Sequence, residues 1–378
     1  MRVEPAVSGE ARAAIREALL TGGAEPADAP LLQPLGLLLD LAGEAMRARL
    51  FVVQAEGGAE MCLRPDFTVA VARQHIERGA LSGRYYYEGA AFRAAPGSDR
   101  PEEFLQMGVE VFAPAEGSPA RADAEIAQIA WQAARAGGRG DLTLWLGDVG
   151  LFGPFIDSLG MSGALAGRLK RVAGRPRLLA AELARAGRES AAPGAEGALA
   201  ARLAGLPQAE AAALLEEVWS LAGIEPVGGR GPGEIAALLV RKADAARAAA
   251  LKADQAGAIS AFMAISDAPE PALAKVRALA GRKAGMLDAA LETWRARLER
   301  LAQVAPADHM RFAPALGHAF DYYDGLTFEV RSAALGEDRP IAVGGRYDSL
   351  LARLGARADA GAVGCVVRPW RAYVEGEA

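Results

Sequence analysis

Three stretches of the chain carry side chains whose types and spacing could serve one ligand. The first is Leu63-Arg64-Pro65-Asp66-Phe67-Thr68, where Arg64 offers a planar fork for a carboxylate or other anion, Asp66 could hold an ammonium group and Thr68 adds a hydroxyl. Alone, it also fits a strand-to-helix turn with polar caps. The second joins Tyr85-Tyr86-Tyr87-Glu88-Gly89 and Phe92-Arg93 to Phe104-Leu105-Gln106-Met107-Gly108-Val109-Glu110-Val111-Phe112. In a strand, Gln106, Gly108 and Glu110 point to one face, and Leu105, Met107, Val109 and Val111 to the other. An amide and a carboxylate on either side of a glycine leave room for a ligand; a half-exposed strand with a polar outer face gives the same alternation. The third runs from Asp321-Tyr322-Tyr323-Asp324-Gly325 to Glu329, then Ala342-Val343-Gly344-Gly345-Arg346-Tyr347-Asp348. Its double glycine permits close backbone approach, to a ligand or to another strand. No Lys-Ser/Thr pair follows as a phosphate loop requires, and no dinucleotide fingerprint is present.

Strands and helices must hold these groups together. Arg84 to Arg93 and Gly108 to Phe112 read as strands of a hairpin, joined by the polar loop Ala94 to Glu103 with Pro96, Gly97 and Pro101. Further strands are expected at Leu142 to Leu146, Leu326 to Arg331, Ile341 to Gly345 and Val363 to Val367. Ser118-Pro119 supplies an N-cap and first turn, and Ala122, Ile126, Ile129 and Ala133 give the helix after it a buried face. Strands that cluster through hairpin-like links, without alternating with helices, favour an α+β fold with an antiparallel sheet. The middle differs: from Gly163 to Gln303 Ala, Leu, Arg and Glu dominate, with breaks at Pro176, Pro193, Pro207, Gly228-Gly229 and Pro269. The expected division is a mixed core of residues 1–155 and 305–378 interrupted by a mainly helical insertion over 156–304. Leu287, Leu291, Trp294, Leu298 and Leu301 form an apolar stripe along the last helix of that block, suited to core packing or to a partner.

Composition narrows the class. The 378 residues carry 42 Lys+Arg against 47 Asp+Glu, a net charge of −5 that weighs against a broad electropositive face for nucleic acid. No run approaches the roughly 18 apolar residues of a membrane span, and Met1 to Glu10 does not read as a secretory signal, so a cytoplasmic location is expected. Cys62 and Cys365 lie far apart and outside any Cys/His cluster, which argues against disulfide staples and structural zinc. His75 and His309 lack companion ligands, so no metal or cofactor is expected.

Together and in this order, the three patterns resemble the catalytic core of histidyl-tRNA synthetase, a class II aminoacyl-tRNA synthetase, over most of residues 30–155 and 305–371. Pro34 resembles the motif 1 proline of the family's dimer interface, Leu63 to Thr68 its LRPE-x-T element, and Phe92-Arg93 through Glu110 its motif 2 and following strand. Asp321 to Tyr323 with Gly344 to Asp348 resemble its two histidine-specific elements. The resemblance implies that Glu110 and Tyr323, with Tyr322 beside it, hold an imidazole, that Asp66, Thr68 and Gln106 hold an α-amino group, and that Arg93 can bind an anion.

Departures from the pattern point away from catalysis. His318 stands where the family has arginine, Ala95 where motif 2 has its acid, and Arg368-Pro369-Trp370-Arg371 keeps only the last residue of motif 3. Adenylate formation depends on fixed charges around a phosphoryl group, so these losses should be severe. Seven residues follow Arg371, without room for an anticodon-binding domain. A retained histidine pocket with a degraded nucleotide site resembles the regulatory subunits of ATP phosphoribosyltransferase. That resemblance implies a non-catalytic homodimer that binds histidine as effector and assembles with a short-form catalytic subunit. Two other readings stay open: a divergent histidine-activating ligase, which Arg93 and Arg371 keep alive, and a module that senses uncharged tRNA.

Overall fold

In a computed structural model, the structure describes residues 1–54, 57–112, 119–173, 176–184, isolated positions between 206 and 218, 251–317, 322–356 and 360–375. Ser118, His318, Asp321 and the expected breaks at Pro193, Pro207 and Gly228-Gly229 lie outside the described residues. The chain divides into two units, Met1–Phe155 with Phe262–Ala378, and Ile156–Ala261.

The first unit is built on an eight-stranded sheet, ordered β1-β5-β6-β11-β10-β9-β7-β8. These strands are β1 (Glu25–Pro26), β5 (Gly83–Phe92), β6 (Glu103–Phe112), β7 (Leu142–Asp148), β8 (Met310–Phe312), β9 (Leu326–Ser332), β10 (Ala342–Arg346) and β11 (Ala362–Val367). From β5 to β7 the order is antiparallel throughout, whereas edge strands β1 and β8 pair in parallel with β5 and β7. A smaller sheet, β2 (Leu32–Pro34), β4 (Glu60–Leu63) and β3 (Val52–Gln54), precedes the main hairpin. β6 starts at Glu103, five residues before the start expected from sequence, because Phe104 to Met107 complete the ladder against Glu88 to Ala91.

Helices α1 (Gly9–Leu20), α2 (Leu35–Ala42), α3 (Thr68–Glu77) and α4 (Pro119–Ala136) follow the apolar periodicities. Ser8 caps α1 by accepting from the Ala11 amide at 3.1 Å. On α4, Ile126, Ile129 and Ala133 are buried as expected, but Ala122 is only half-buried and Asp123 beside it has no exposed surface. Later in the chain come α5 (Val149–Ser158), α6 (Gly163–Val172), α7 (Pro176–Ala184), α8 (Ala253–Met263), α9 (Pro269–Leu279), α10 (Asp288–Leu301), α11 (Asp348–Arg353) and α12 (Pro369–Ala372).

The core resumes earlier than the sequence division has it, at Phe262 and not near residue 305. The reason is α10: Leu287, Leu291, Trp294 and Leu301 are buried in the core, and Trp294 Nε1 donates to Asp148 Oδ2 at 2.6 Å. Helical composition therefore does not separate the insertion from the core helix that follows it. No helix among the described residues is long and apolar enough to cross a membrane.

Candidate functional site

One face of the main sheet builds the site. Cross-strand partners share a face, so the register groups Tyr87 with Gly108, Glu110 with Gly364, Gly364 with Gly345, and Val343 with Glu329. Above these strands lies a cavity of about 310 Å³, lined by Asp66, Thr68, Arg93, Gln106, Glu110, Tyr322 and Tyr323 among others. The seven residues that the resemblance assigns to a ligand therefore open onto one space.

Glu110 sits at the centre, 1% exposed. Thr68 Oγ1 donates to its Oε1 at 2.6 Å, Tyr87 Oη to the same oxygen at 3.1 Å, and Tyr347 Oη to Oε2. A carboxylate offers about four acceptor positions, so three hydroxyls leave one for a ligand. Burial pushes the Glu110 carboxyl up to about 7, against the pull of those three donors. The carboxylate fits because Gly364 on the neighbouring strand has no side chain; a β-carbon there would collide with Glu110 Oε2.

Asp66 and Gln106 are the open valences. Asp66, at the approach to α3, is pushed up to about 6 by burial, opposed by Arg93 and by the amides of Val69 and Thr68. Those amides face it, yet both carboxylate oxygens are buried without a completed hydrogen bond, as is Gln106 Oε1. Buried acceptors left without donors cost on the order of 1–3 kcal/mol each, and an ammonium group would satisfy them. The rings of Tyr322 and Tyr323 lie 4.8 Å apart, with Tyr347 at 5.6 and 5.9 Å, forming an aromatic wall beside the acids.

Two readings of the residues need correction. The gap over Gly108 is not open: Tyr87 fills it, since a β-carbon on Gly108 would strike the Tyr87 hydroxyl. Arg64 is not an anion fork either. Its Nε donates to Ala90 O at 2.8 Å and its Nη1 to Ala29 O at 2.5 Å, and its guanidinium lies 4.1 Å over Phe67, itself stacked on Tyr87 at 4.5 Å. That column is a scaffold holding Tyr87 against Glu110.

Tyr87 and Tyr347, both hydrogen-bonded to Glu110, carry no functional mark in the sequence patterns. Hairpin register would have found the first, because Phe92 opposite Glu103 places Tyr87 opposite Gly108. Towards the hairpin tip the lining holds six arginines, Arg49, Arg93, Arg100, Arg331, Arg368 and Arg371, against three acids, Glu329, Glu337 and Asp338. Arg93 Nε donates to Pro65 O at 2.8 Å, and Arg331 pairs with Glu329 at 2.7 Å. The site thus has an acidic, hydroxyl-rich end suited to N–H donors and an arginine-lined end suited to anions.

The family model described as histidyl-tRNA synthetase matches residues 6–227 and 226–368. A protein of Chelativorans sp. named ATP phosphoribosyltransferase regulatory subunit is 35% identical over 347 residues, 90% of this chain and 89% of the relative. The chain belongs to this histidyl-tRNA synthetase-like family of regulatory subunits. A relative of the same name from Brucella canis is 35% identical over 349 residues, covering 91% of each chain. Among solved structures, an ATP phosphoribosyltransferase regulatory subunit/histidyl-tRNA synthetase from Bacillus halodurans superposes with a TM-score of 0.63 at 20% identity, covering 96% of this chain and 78% of that one. A histidine–tRNA ligase subunit from Alicyclobacillus acidocaldarius gives 0.56 at 21% identity, covering 98% and 94%. The fold is α+β, a class II synthetase-like sheet flanked by helices.

Proposed function

We propose that this chain is the non-catalytic regulatory subunit of ATP phosphoribosyltransferase in histidine biosynthesis. It binds histidine in the Glu110 cavity and is needed for both the activity and the feedback inhibition of a short-form catalytic subunit. The observation that carries this reading is the buried, orphaned Asp66 carboxylate beside Gln106 Oε1, within one cavity of Glu110 and the tyrosines. An α-ammonium group would meet Asp66 and Gln106. The imidazole would meet the remaining acceptor position of Glu110 and the phenol of Tyr323.

The names of the relatives support the regulatory role, and Ala95 and Trp370 in the positions that resemble motifs 2 and 3 support the absence of catalysis. Leu31, Leu32, Val52 and Val53 are exposed on and beside the small sheet that carries Pro34, which supports a homodimer through that surface. Mixing the purified protein with a short-form catalytic subunit and assaying phosphoribosyl transfer tests the proposal. Activity should appear only in the mixture and fall on adding histidine. Histidine-dependent pyrophosphate exchange by this chain alone would overturn it.

A further inference from the structure

The arginine end of the cavity is backed, from outside its lining, by a counter-ion supplied by the start of the chain. The Arg2 guanidinium donates to Arg100 O and Ala95 O, both at 2.9 Å, and pairs with Glu102 at 3.1 Å. Backbone bonds from Glu102 and Glu103 to Arg2 O, and from Glu4 to Glu103 O, clasp the first residues to the hairpin tip. That clasp delivers Glu4 to a buried position, where Oε1 accepts from Arg368 Nη2 at 2.5 Å.

Arg368 in turn lies flat on Phe104, 3.5 Å from the ring centroid. Three cations crowd there. Burial lowers Arg368 to about 9, with Arg371 and Arg93 adding to the effect, and burial lowers Arg371 to about 10, in both cases with Glu4 pulling the other way. Register places this cluster at the far end from Glu110: β11 pairs Gly364 with Glu110 and Val367 with Met107, and Phe104 lies six residues from Glu110, about 20 Å along the strand.

We propose that Glu4 is a specificity-determining residue, an internal counter-ion that neutralises Arg368 and thereby keeps compact polyanions out of the arginine end of the cavity. A phosphate-bearing molecule entering there meets an Arg368 whose charge is already offset by a carboxylate that the Arg2 clasp holds behind it. The exclusion holds whichever ligand occupies the Glu110 end.

The test is calorimetric titration of inorganic pyrophosphate into the full-length protein, its Glu4→Gln variant and a Glu103→Gln control that removes the same charge from the adjacent strand end. Glu4→Gln should bind pyrophosphate at least about tenfold more tightly than wild type, the ratio set by one moderately screened charge pair. Glu103→Gln should stay near wild type, and adding Arg368→Gln to Glu4→Gln should abolish the gain. Equal gains in Glu4→Gln and Glu103→Gln, or no gain in a folded Glu4→Gln protein, overturn the proposal. Should Glu4→Gln fail to fold, Arg2→Ala decides. It loosens the clasp while removing a positive charge, so tighter pyrophosphate binding supports the counter-ion role and weaker or unchanged binding overturns it.

Discussion

The molecule buries two clusters of acids, and it treats them oppositely. Asp123 has no exposed surface, yet Oδ1 accepts from Arg346 Nε and Nη2 at 2.9 and 2.7 Å, and Oδ2 from Arg297 Nε at 2.7 Å. Asp148 nearby takes Arg297 Nη1 at 3.1 Å, the Trp294 indole and the Gly150 amide. Every acceptor position that matters is filled by chain. At the other cluster Glu110 has hydroxyls but no arginine, and Asp66 has no completed bond. A paired acid fixes neighbouring elements, here α4, α10, β7 and β10. An acid left short of partners beside a cavity is held ready for a molecule from outside.

The sharpest way to break this comparison is to remove one acid from each cluster. Asp123→Ala strips the shared counter-ion from two buried arginines, leaving Arg297 only Asp148 and Arg346 only Asp348, and should destabilise the fold by about 3–5 kcal/mol, read as a drop in denaturation midpoint. Glu110→Ala strands three hydroxyls but no charge, so it should cost less stability than Asp123→Ala while weakening histidine binding by about 2 kcal/mol or more. Calorimetry showing unchanged histidine affinity in Glu110→Ala would remove the pocket assignment. Stability unchanged in Asp123→Ala would remove the distinction between the clusters.

How far the sequence carries this contrast depends on how local each signal is. The alternation Gln106-Gly108-Glu110 identified the right face of the right strand, because strand periodicity is a property of neighbours. It could not say that the polar face is buried, since burial is decided by the layer of α2, α3 and the small sheet. Alternation puts the vacancy at Gly108, whereas the glycine that accommodates Glu110 is Gly364, on a strand that arrives late in the chain. Arg64 looked like a ligand fork because an arginine's carbonyl partners, here Ala90 and Ala29, leave no mark on composition. Asp123 was hidden for a related reason: in an amphipathic helix it falls beside the apolar stripe, and only Arg297 and Arg346, remote in sequence, bring it inside.

Titration should sharpen the same contrast. Glu110 rises from 4.5 to about 7 and Asp66 from 3.8 to about 6, both through burial. A raised acid holds its proton in the folded state where the unfolded chain has released it. The ligand-free protein should therefore be most stable on the acid side of this window and lose on the order of 2 kcal/mol as pH rises through 6 and 7. Glu110→Gln should flatten that decline in melts taken from pH 5 to 8, and an identical slope in variant and wild type would sink the attribution. Histidine acts in the opposite sense. Its ammonium favours the charged carboxylates, so binding releases protons and tightens from pH 5 to 7, measurable as a dependence of binding heat on buffer ionisation enthalpy.

The smallest expected effect tests whether the hydroxyls at Glu110 substitute for the missing arginine. Tyr347→Phe removes one donor to Oε2 and keeps the ring that packs against Tyr322 and Tyr323. An O–H donor stabilises the carboxylate more than the neutral acid, so its loss should raise the Glu110 pKa further and cost about 1 kcal/mol where Glu110 is ionised. Below the pKa the acid carries its own proton and the cost should shrink. Melting the variant at pH 8 and at pH 5 separates the two cases. A larger deficit at pH 8 means that the hydroxyl pays part of the charge that Arg346 and Arg297 cover at Asp123. An equal deficit at both values would mean that Tyr347 only fills space, and that Glu110 relies on Thr68 and Tyr87 alone.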